Sequence, residues 1–287
     1  NYDHKMRGPV PLYKALASSY NLATVNLGLE LGVEQVVEML GRLGVQRHVD
    51  AVPAMLLGSV SLTPIEVGQV YQTIAAGGFR APLRAIREVL DVSGRPLNRY
   101  PLAVEATVSS ESAYLVTWAM QQVVKQGTAT WLNKRLPKGL TVAGKTGTTN
   151  ELRDSWFAGF SGDKVAVAWV GRDDNKPTKL SGSTGALRIW GDIMASIENH
   201  PLSDLVPDGI QEVLLDPANG LLAGEGCGRA LAVPVDLHGV PTSTSNCGAA
   251  AAADQGSSSA TAKPSVRDEK EKSRSVFGEF MRNFLGN

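Results

Sequence analysis

Residues Val165 to Val170 read Val-Ala-Val-Ala-Trp-Val, so both alternating sets of side chains are apolar. In a strand these sets point to opposite faces, and a sheet apolar on both faces has to be covered on both. Two more short extended runs precede it, Thr141 to Thr148 and Ser155 to Phe160, and the connections are of turn length. Together with the run from Val165 to Gly171 they predict an antiparallel meander. A helical stretch from Ala186 to about Glu198 follows and is available to cover one face. The expected fold class is therefore mixed α/β (α+β), an antiparallel sheet sandwiched between helices.

The residues before the sheet supply such helices. Residues 9–31 read as helix, an irregular turn at Ser18-Ser19-Tyr20-Asn21, and a second helix from about Thr24. Val33, Val36, Val37 and Leu40 recur at i, i+3, i+4 and i+7, predicting a helix over 33–41 that ends near Gly41 or Gly44. Thr63-Pro64-Ile65-Glu66 has the form of a capping box with proline at the first helical position. Val67, Val70, Tyr71 and Ile74 form the apolar stripe of that helix, and Gly77-Gly78 stops it. Ala85 to Val92 and Pro96 to Tyr100, around Ser93-Gly94, predict a small hairpin. Ser109 or Ser110 caps a longer helix that runs to about Lys125 and stops at Gly127.

Lys plus Arg equals Asp plus Glu at 28 each, so no net field favours nucleic acid or an anionic membrane surface. No apolar run approaches the roughly 18 residues that a transmembrane helix needs. The four histidines, His4, His48, His200 and His238, are scattered without ligand spacing, and no metal site is expected. Cys227 and Cys247 match no zinc pattern. A local disulfide, implying an oxidising compartment, stands against two unrelated thiols.

Beyond His200 the pattern changes to short strands and turns over 201–247. Residues 248–275 are too poor in apolar groups to order alone and read as a low-complexity linker. Phe277, Phe280, Met281, Phe284 and Leu285 make 276–287 a short amphipathic segment. The expected domains are 1–200, 201–247, 248–275 and 276–287.

Lys145-Thr146-Gly147 stands at the end of the first strand of the meander. A cation, hydroxyls and a residue without a side chain, placed together, suit a carboxylate and let a substrate backbone lie against the strand. A chain of this length contains such a triplet by chance about once in fifteen cases. Its weight therefore depends on partners. Ser19-Tyr20-Asn21 is the chain's one Ser-x-Asn, in a helix-to-helix turn upstream of the strand. The one Ser-x-x-Lys, Ser161-Gly162-Asp163-Lys164, falls in a Gly-Asp turn between two strands. A nucleophilic serine and its base need to lie one helical turn apart, so this stretch is read as a hairpin turn.

Much of the sequence resembles the transpeptidase domain of class A penicillin-binding proteins of the 1b type from Gram-negative bacteria. The residues that carry the resemblance are Ala23 to Gly28, Val52 to Gly58, Leu62 to Val67, Gly144 to Asn150 with Asp154 to Gly159, and Trp169 to Asp173. It spans about residues 10–200. It implies the fold shared by penicillin-binding proteins and serine β-lactamases, with the first part of the domain preceding Asn1. The implied activity is peptidoglycan D,D-transpeptidation within a bifunctional glycosyltransferase/transpeptidase at the periplasmic face of the inner membrane. The substrate is then a stem peptide ending in D-Ala-D-Ala, and β-lactams are ligands.

The resemblance gives Ser19 and Lys145 a proton relay and Asn21 a hold on the stem-peptide amide. Thr146 and Thr148 would bind the terminal carboxylate, the Thr148 amide would give half an oxyanion hole, and Gly147 would admit the substrate strand. No cofactor is implied for transpeptidation, although a divalent metal is compatible with a glycosyltransferase domain elsewhere. A homodimer or other cell-wall synthesis proteins are compatible partners, and nucleic acid is not. Without an upstream Ser-x-x-Lys the chain alone is expected to be inactive. The competing readings are a serine β-lactamase or D,D-carboxypeptidase, and a non-catalytic stem-peptide-binding module.

Overall fold

A computed structural model of the chain describes residues 5–247. The linker and amphipathic segment expected over 248–287 lie outside the described residues. The described residues divide into two units, one holding Leu12–Leu205 and the other residues 206–247 with Arg7–Pro11.

In the first unit, helices α1 (Leu12–Ala17), α2 (Asn21–Leu31) and α3 (Val33–Leu43) are followed by α4 (Pro64–Ala75). The start of α4 is the expected capping box: the Thr63 amide donates to Glu66 Oε2 at 2.8 Å and the Glu66 amide to Thr63 Oγ1 at 3.3 Å. Short strands β1 (Phe79–Arg80), β2 (Glu88–Leu90), β3 (Pro96–Arg99) and β4 (Glu105–Ala106) come next, β2 pairing with β3 and β1 with β4. The hairpin is shorter than its apolar run suggests: the Asp91 carboxylate accepts from the Ser93 and Arg95 amides, so the turn begins at Asp91 and β2 ends at Leu90. Helix α5 (Ser110–Gln126) starts at the Ser109 cap, and α6 (Leu132–Arg135) is a single turn.

The central sheet is the expected meander: β5 (Ala143–Thr148), β6 (Ser155–Phe160) and β7 (Val165–Val170), in that order and antiparallel. Thr141 and Val142 remain outside β5. Helix α7 (Ala186–Ser196) covers one face, where Phe157 meets Trp190 edge to face at 4.9 Å between centroids. Both rings are at most 1% exposed, and the indole N–H donates to Ala166 O at 2.9 Å, so no buried donor is left unpaired. The opposite face meets α4 and α5, with Tyr71 edge to face on Phe160 at 6.5 Å. Coverage there is less complete than the sequence pattern predicts, since Val165 and Trp169 stay 38% and 45% exposed.

The second unit is built on strands β8 (Ile210–Leu215), β9 (Leu222–Ala223), β10 (Leu231–Asp236) and β11 (Thr244–Ser245), in the order β10-β8-β9-β11. Cys227 and Cys247 form a disulfide across it, their Cα atoms 5.1 Å apart.

Candidate active site at the Lys-Thr-Gly strand

The site begins with the way α1 ends. The Tyr20 amide donates to Ala15 O at 2.9 Å and the Ser19 amide to Leu16 O at 3.2 Å, the paired bonds of a Schellman turn. Ser19 occupies the left-handed position of that turn at φ 56°, where glycine is the usual residue. With α1 closed so tightly, α2 starts at Asn21 and not at Thr24 as its sequence suggested. The left-handed turn leaves Ser19 exposed at the surface, facing β5.

Strand β5 forms one edge of the sheet, bonded to β6 alone. Its pleat sends Lys145 and Gly147 to one face, and Thr146 and Thr148 to the other. The Lys145 ammonium donates to Ser19 Oγ at 2.9 Å and to Thr146 O at 3.0 Å. This bond joins the Ser-x-Asn turn to the Lys-Thr-Gly strand across 126 positions of sequence. Burial strips water from the ammonium and lowers its pKa from 10.5 to about 8. Asn21 is exposed on the first turn of α2, two residues beyond Ser19.

The two threonines each have a partner that the sequence did not disclose. Thr146 Oγ1 lies 2.7 Å from Thr128 Oγ1, and Thr148 Oγ1 accepts from the Gly182 amide at 2.8 Å. Thr128 reaches this place because Gly127 lets the ends of α5 and α1 meet. A Cβ there would lie 2.2 Å from Ala17 O, the carbonyl that accepts the Thr128 amide at 3.1 Å. Gly182 is also pressed against backbone, where a Cβ would lie 2.6 Å from Gly147 O and 2.8 Å from Trp156 O. Ser155 anchors the same loop, donating to Ser181 O at 2.7 Å and accepting from the Ala186 amide at 2.8 Å.

Beyond Thr148 the chain turns back through a loop tied by Thr149 and Asp154. The Asp154 amide donates to Thr149 Oγ1 at 2.8 Å, and Trp169 Nε1 donates to Asp154 Oδ1 at 2.9 Å. Ser161 to Lys164 is the β6–β7 turn, closed by the Ser161 amide on Lys164 O at 2.9 Å. Its serine hydroxyl donates to Asn199 Oδ1 at 2.9 Å, while the Lys164 ammonium pairs with Asp163. The turn therefore has no serine activated by a lysine. Among the described residues, no group of three or more His, Cys, Asp or Glu is placed to hold a metal ion.

Residues 1–195 match the family model for the penicillin binding protein transpeptidase domain. The chain belongs to this family. Penicillin-binding protein 1B of Vibrio cholerae is 49% identical to it over 211 residues, and that of Escherichia coli 47% over 210. Each alignment covers 73% of this chain but only 27% and 25% of the relative, so the transpeptidase domain here spans about a quarter of their length. Among solved structures, penicillin-binding protein 1A from Haemophilus influenzae superposes with a TM-score of 0.77 at 23% identity, covering 85% of this chain and 42% of its own. The PonA1 protein from Mycobacterium tuberculosis, in complex with penicillin V, gives 0.63 at 19% identity, covering 72% and 61%. These two likenesses extend to the fold.

Proposed function

We propose that this transpeptidase domain serves a peptidoglycan D,D-transpeptidase in a bifunctional cell-wall synthase, holding the D-Ala-D-Ala end of a stem peptide and binding β-lactams in its place. One observation carries this reading: the 2.9 Å bond from Lys145 Nζ to Ser19 Oγ brings the chain's one Ser-x-Asn turn onto its one Lys-Thr-Gly strand. The names of the 1B relatives support it.

The geometry suits acyl transfer. Ser19 Oγ accepts from the lysine ammonium, so its own proton is free for a leaving amide nitrogen. As that proton departs, one from Nζ replaces it, and the desolvated amine gives up a proton more readily than an exposed lysine does. Asn21 offers the stem peptide both a donor and an acceptor. The Thr149 amide bonds to Asp154 O at 3.2 Å, so in the alternating ladder the Thr148 amide faces away from β6, where it would serve an acyl oxygen, and Gly147 leaves room for the substrate chain. The attacking hydroxyl is a different group, since Ser161 is committed to its turn.

The test is acylation of the full-length gene product by a fluorescent penicillin, in competition with an acyl-D-Ala-D-Ala peptide. Stoichiometric labelling that falls by about a hundredfold or more in Lys145→Ala and Ser19→Ala is expected, in line with the contribution of positioned acid–base groups. Absence of labelling in the wild-type protein would refute the reading. Rapid hydrolysis of a chromogenic cephalosporin would turn it toward a β-lactamase.

A further inference from the structure

Thr146 and Thr148 lie on the same face of the open strand edge, about 7 Å apart along the chain. A hydroxyl has one proton and two lone pairs, so what it offers a ligand depends on what its neighbours have already taken. The Gly182 amide is a donor only. Bonded to Thr148 Oγ1 at 2.8 Å, it fills an acceptor site and leaves the threonine proton to point elsewhere. Thr128 and Thr146 share one hydrogen bond at 2.7 Å, so of their two protons one lies between the oxygens and the other is free. An anion arriving at the strand edge selects the arrangement in which Thr128 donates to Thr146 Oγ1 and the Thr146 hydroxyl, keeping its own proton, turns that proton outward.

We propose that Thr128 and the Gly182 amide are positioning residues that turn Thr146 and Thr148 into paired hydrogen-bond donors for one carboxylate at the open edge of β5. Neither touches the ligand. The inference rests on the carboxylate-terminated substrate proposed above and adds the groups that select it. The backbone around both positions is built for the purpose. Gly127 brings the Thr128 amide to Ala17 O, and Gly182 is held where any side chain would strike the Gly147 carbonyl. Replacing Thr128 by valine removes the hydroxyl alone and keeps both the shape and the amide bond.

The experiment compares acylation rates of the full-length gene product with a penicillin carrying its free carboxylate and with the methyl ester of the same penicillin. Thr128→Val should lower the carboxylate-to-ester rate ratio by about tenfold, the effect expected when a hydrogen bond to a charged group is weakened. Thr128→Ser should restore the ratio. In a Thr146→Val background, Thr128→Val should change it no further, because one residue acts through the other. If the valine variant does not fold, the Thr128→Ala and Thr128→Ser pair makes the same comparison. Equal slowing with both compounds, an unchanged ratio, or losses that multiply in the double variant would each overturn the proposal. A wild-type protein acylated without preference for the carboxylate overturns this inference alone. One acylated by neither compound overturns the functional reading with it.

Discussion

Ser19 offers a direct measure of what the site costs the fold. Its left-handed backbone at φ 56° carries a penalty of about 1–2 kcal/mol for a residue with a Cβ, and glycine does not pay it. Glycine also loses more entropy on folding, by about 0.4–1 kcal/mol. Ser19→Ala and Ser19→Gly both delete the hydroxyl and its bond from Lys145, so that loss cancels between them. The glycine variant should therefore be more stable than the alanine variant by about 0.8 kcal/mol, the middle of the span the two effects leave. In an ordinary helical position glycine is the less stable by a similar amount, so the sign is diagnostic. Urea unfolding followed by tryptophan fluorescence is suited to the comparison, because all five tryptophans lie between Trp118 and Trp190. A domain of this size shifts by about 2–4 °C per kcal/mol, so a thermal melt should place the glycine variant about 1–4 °C higher. Both variants should lose acylation alike. A glycine variant no more stable than alanine would show that the α1–α2 turn is unstrained, and the assignment of Ser19 to a site-imposed conformation would fall.

Lys145→Met should stabilise the protein at pH 7 by about 1–3 kcal/mol, since it removes a desolvated charge while filling its volume. Between pH 8 and 10.5 the unfolded chain holds more protons on Lys145 than the folded one, so wild-type stability at this site rises with pH. Across that window, denaturation should show the gap to the Met variant narrowing; a gap independent of pH would contradict the lowered pKa. Gly182→Ala forces a Cβ to within 2.6 Å of Gly147 O and should cost about 2 kcal/mol or more, read as a fall in urea midpoint with loss of acylation. Cys227 and Cys247 close a loop with a sequence separation of 20, so Cys247→Ser should lower the stability of the second unit by about 3 kcal/mol. Limited proteolysis within 206–247 is the readout, and an unchanged digestion pattern would refute it.

What the sequence disclosed and what it hid divide along one physical line. Thr63, Pro64 and Glu66 act within a single turn, and Val165 to Val170 carry their period on the surface of the sequence, so both were legible. The meeting of Lys145 with Ser19 was legible through the family resemblance, because a Ser-x-Asn triplet alone is expected about once by chance in a chain of this composition. Thr128 follows the helix stop at Gly127 and Gly182 sits in a loop, and no local pattern marks either one. Their roles come from long-range packing that joins Thr128 to Thr146 and Gly182 to Thr148, across 18 and 34 positions, and no local pattern records such distances. The early start of α2 was missed for a related reason. A serine in a left-handed turn is disfavoured locally, and the tertiary contact with Lys145 overrides that preference.

The placement of strain leads to the same site. Among the described residues, the non-glycine positions with positive φ are Ser19, Glu151, Leu152, Asn175 and Lys179. Ser19 lies in the α1–α2 turn, Glu151 and Leu152 follow β5, and the other two lie in the loop that delivers Gly182. These three segments adjoin Lys145-Thr146-Gly147-Thr148, and the large helices carry none of the strain. Such residues cost about 1–3 kcal/mol each and persist only where surrounding contacts over-determine them. Those contacts are visible: the Thr178 amide and hydroxyl both donate to Leu152 O at 2.8 Å, and Lys145 holds Ser19. Beneath them the Phe157–Trp190 core is closed to solvent, and truncating either ring would cost about 3–5 kcal/mol. A rigid core next to the strand edge lets its rim carry strained turns and a desolvated amine without unfolding. The desolvated amine of Lys145 and the core that Trp190 closes thus share one sheet from opposite sides.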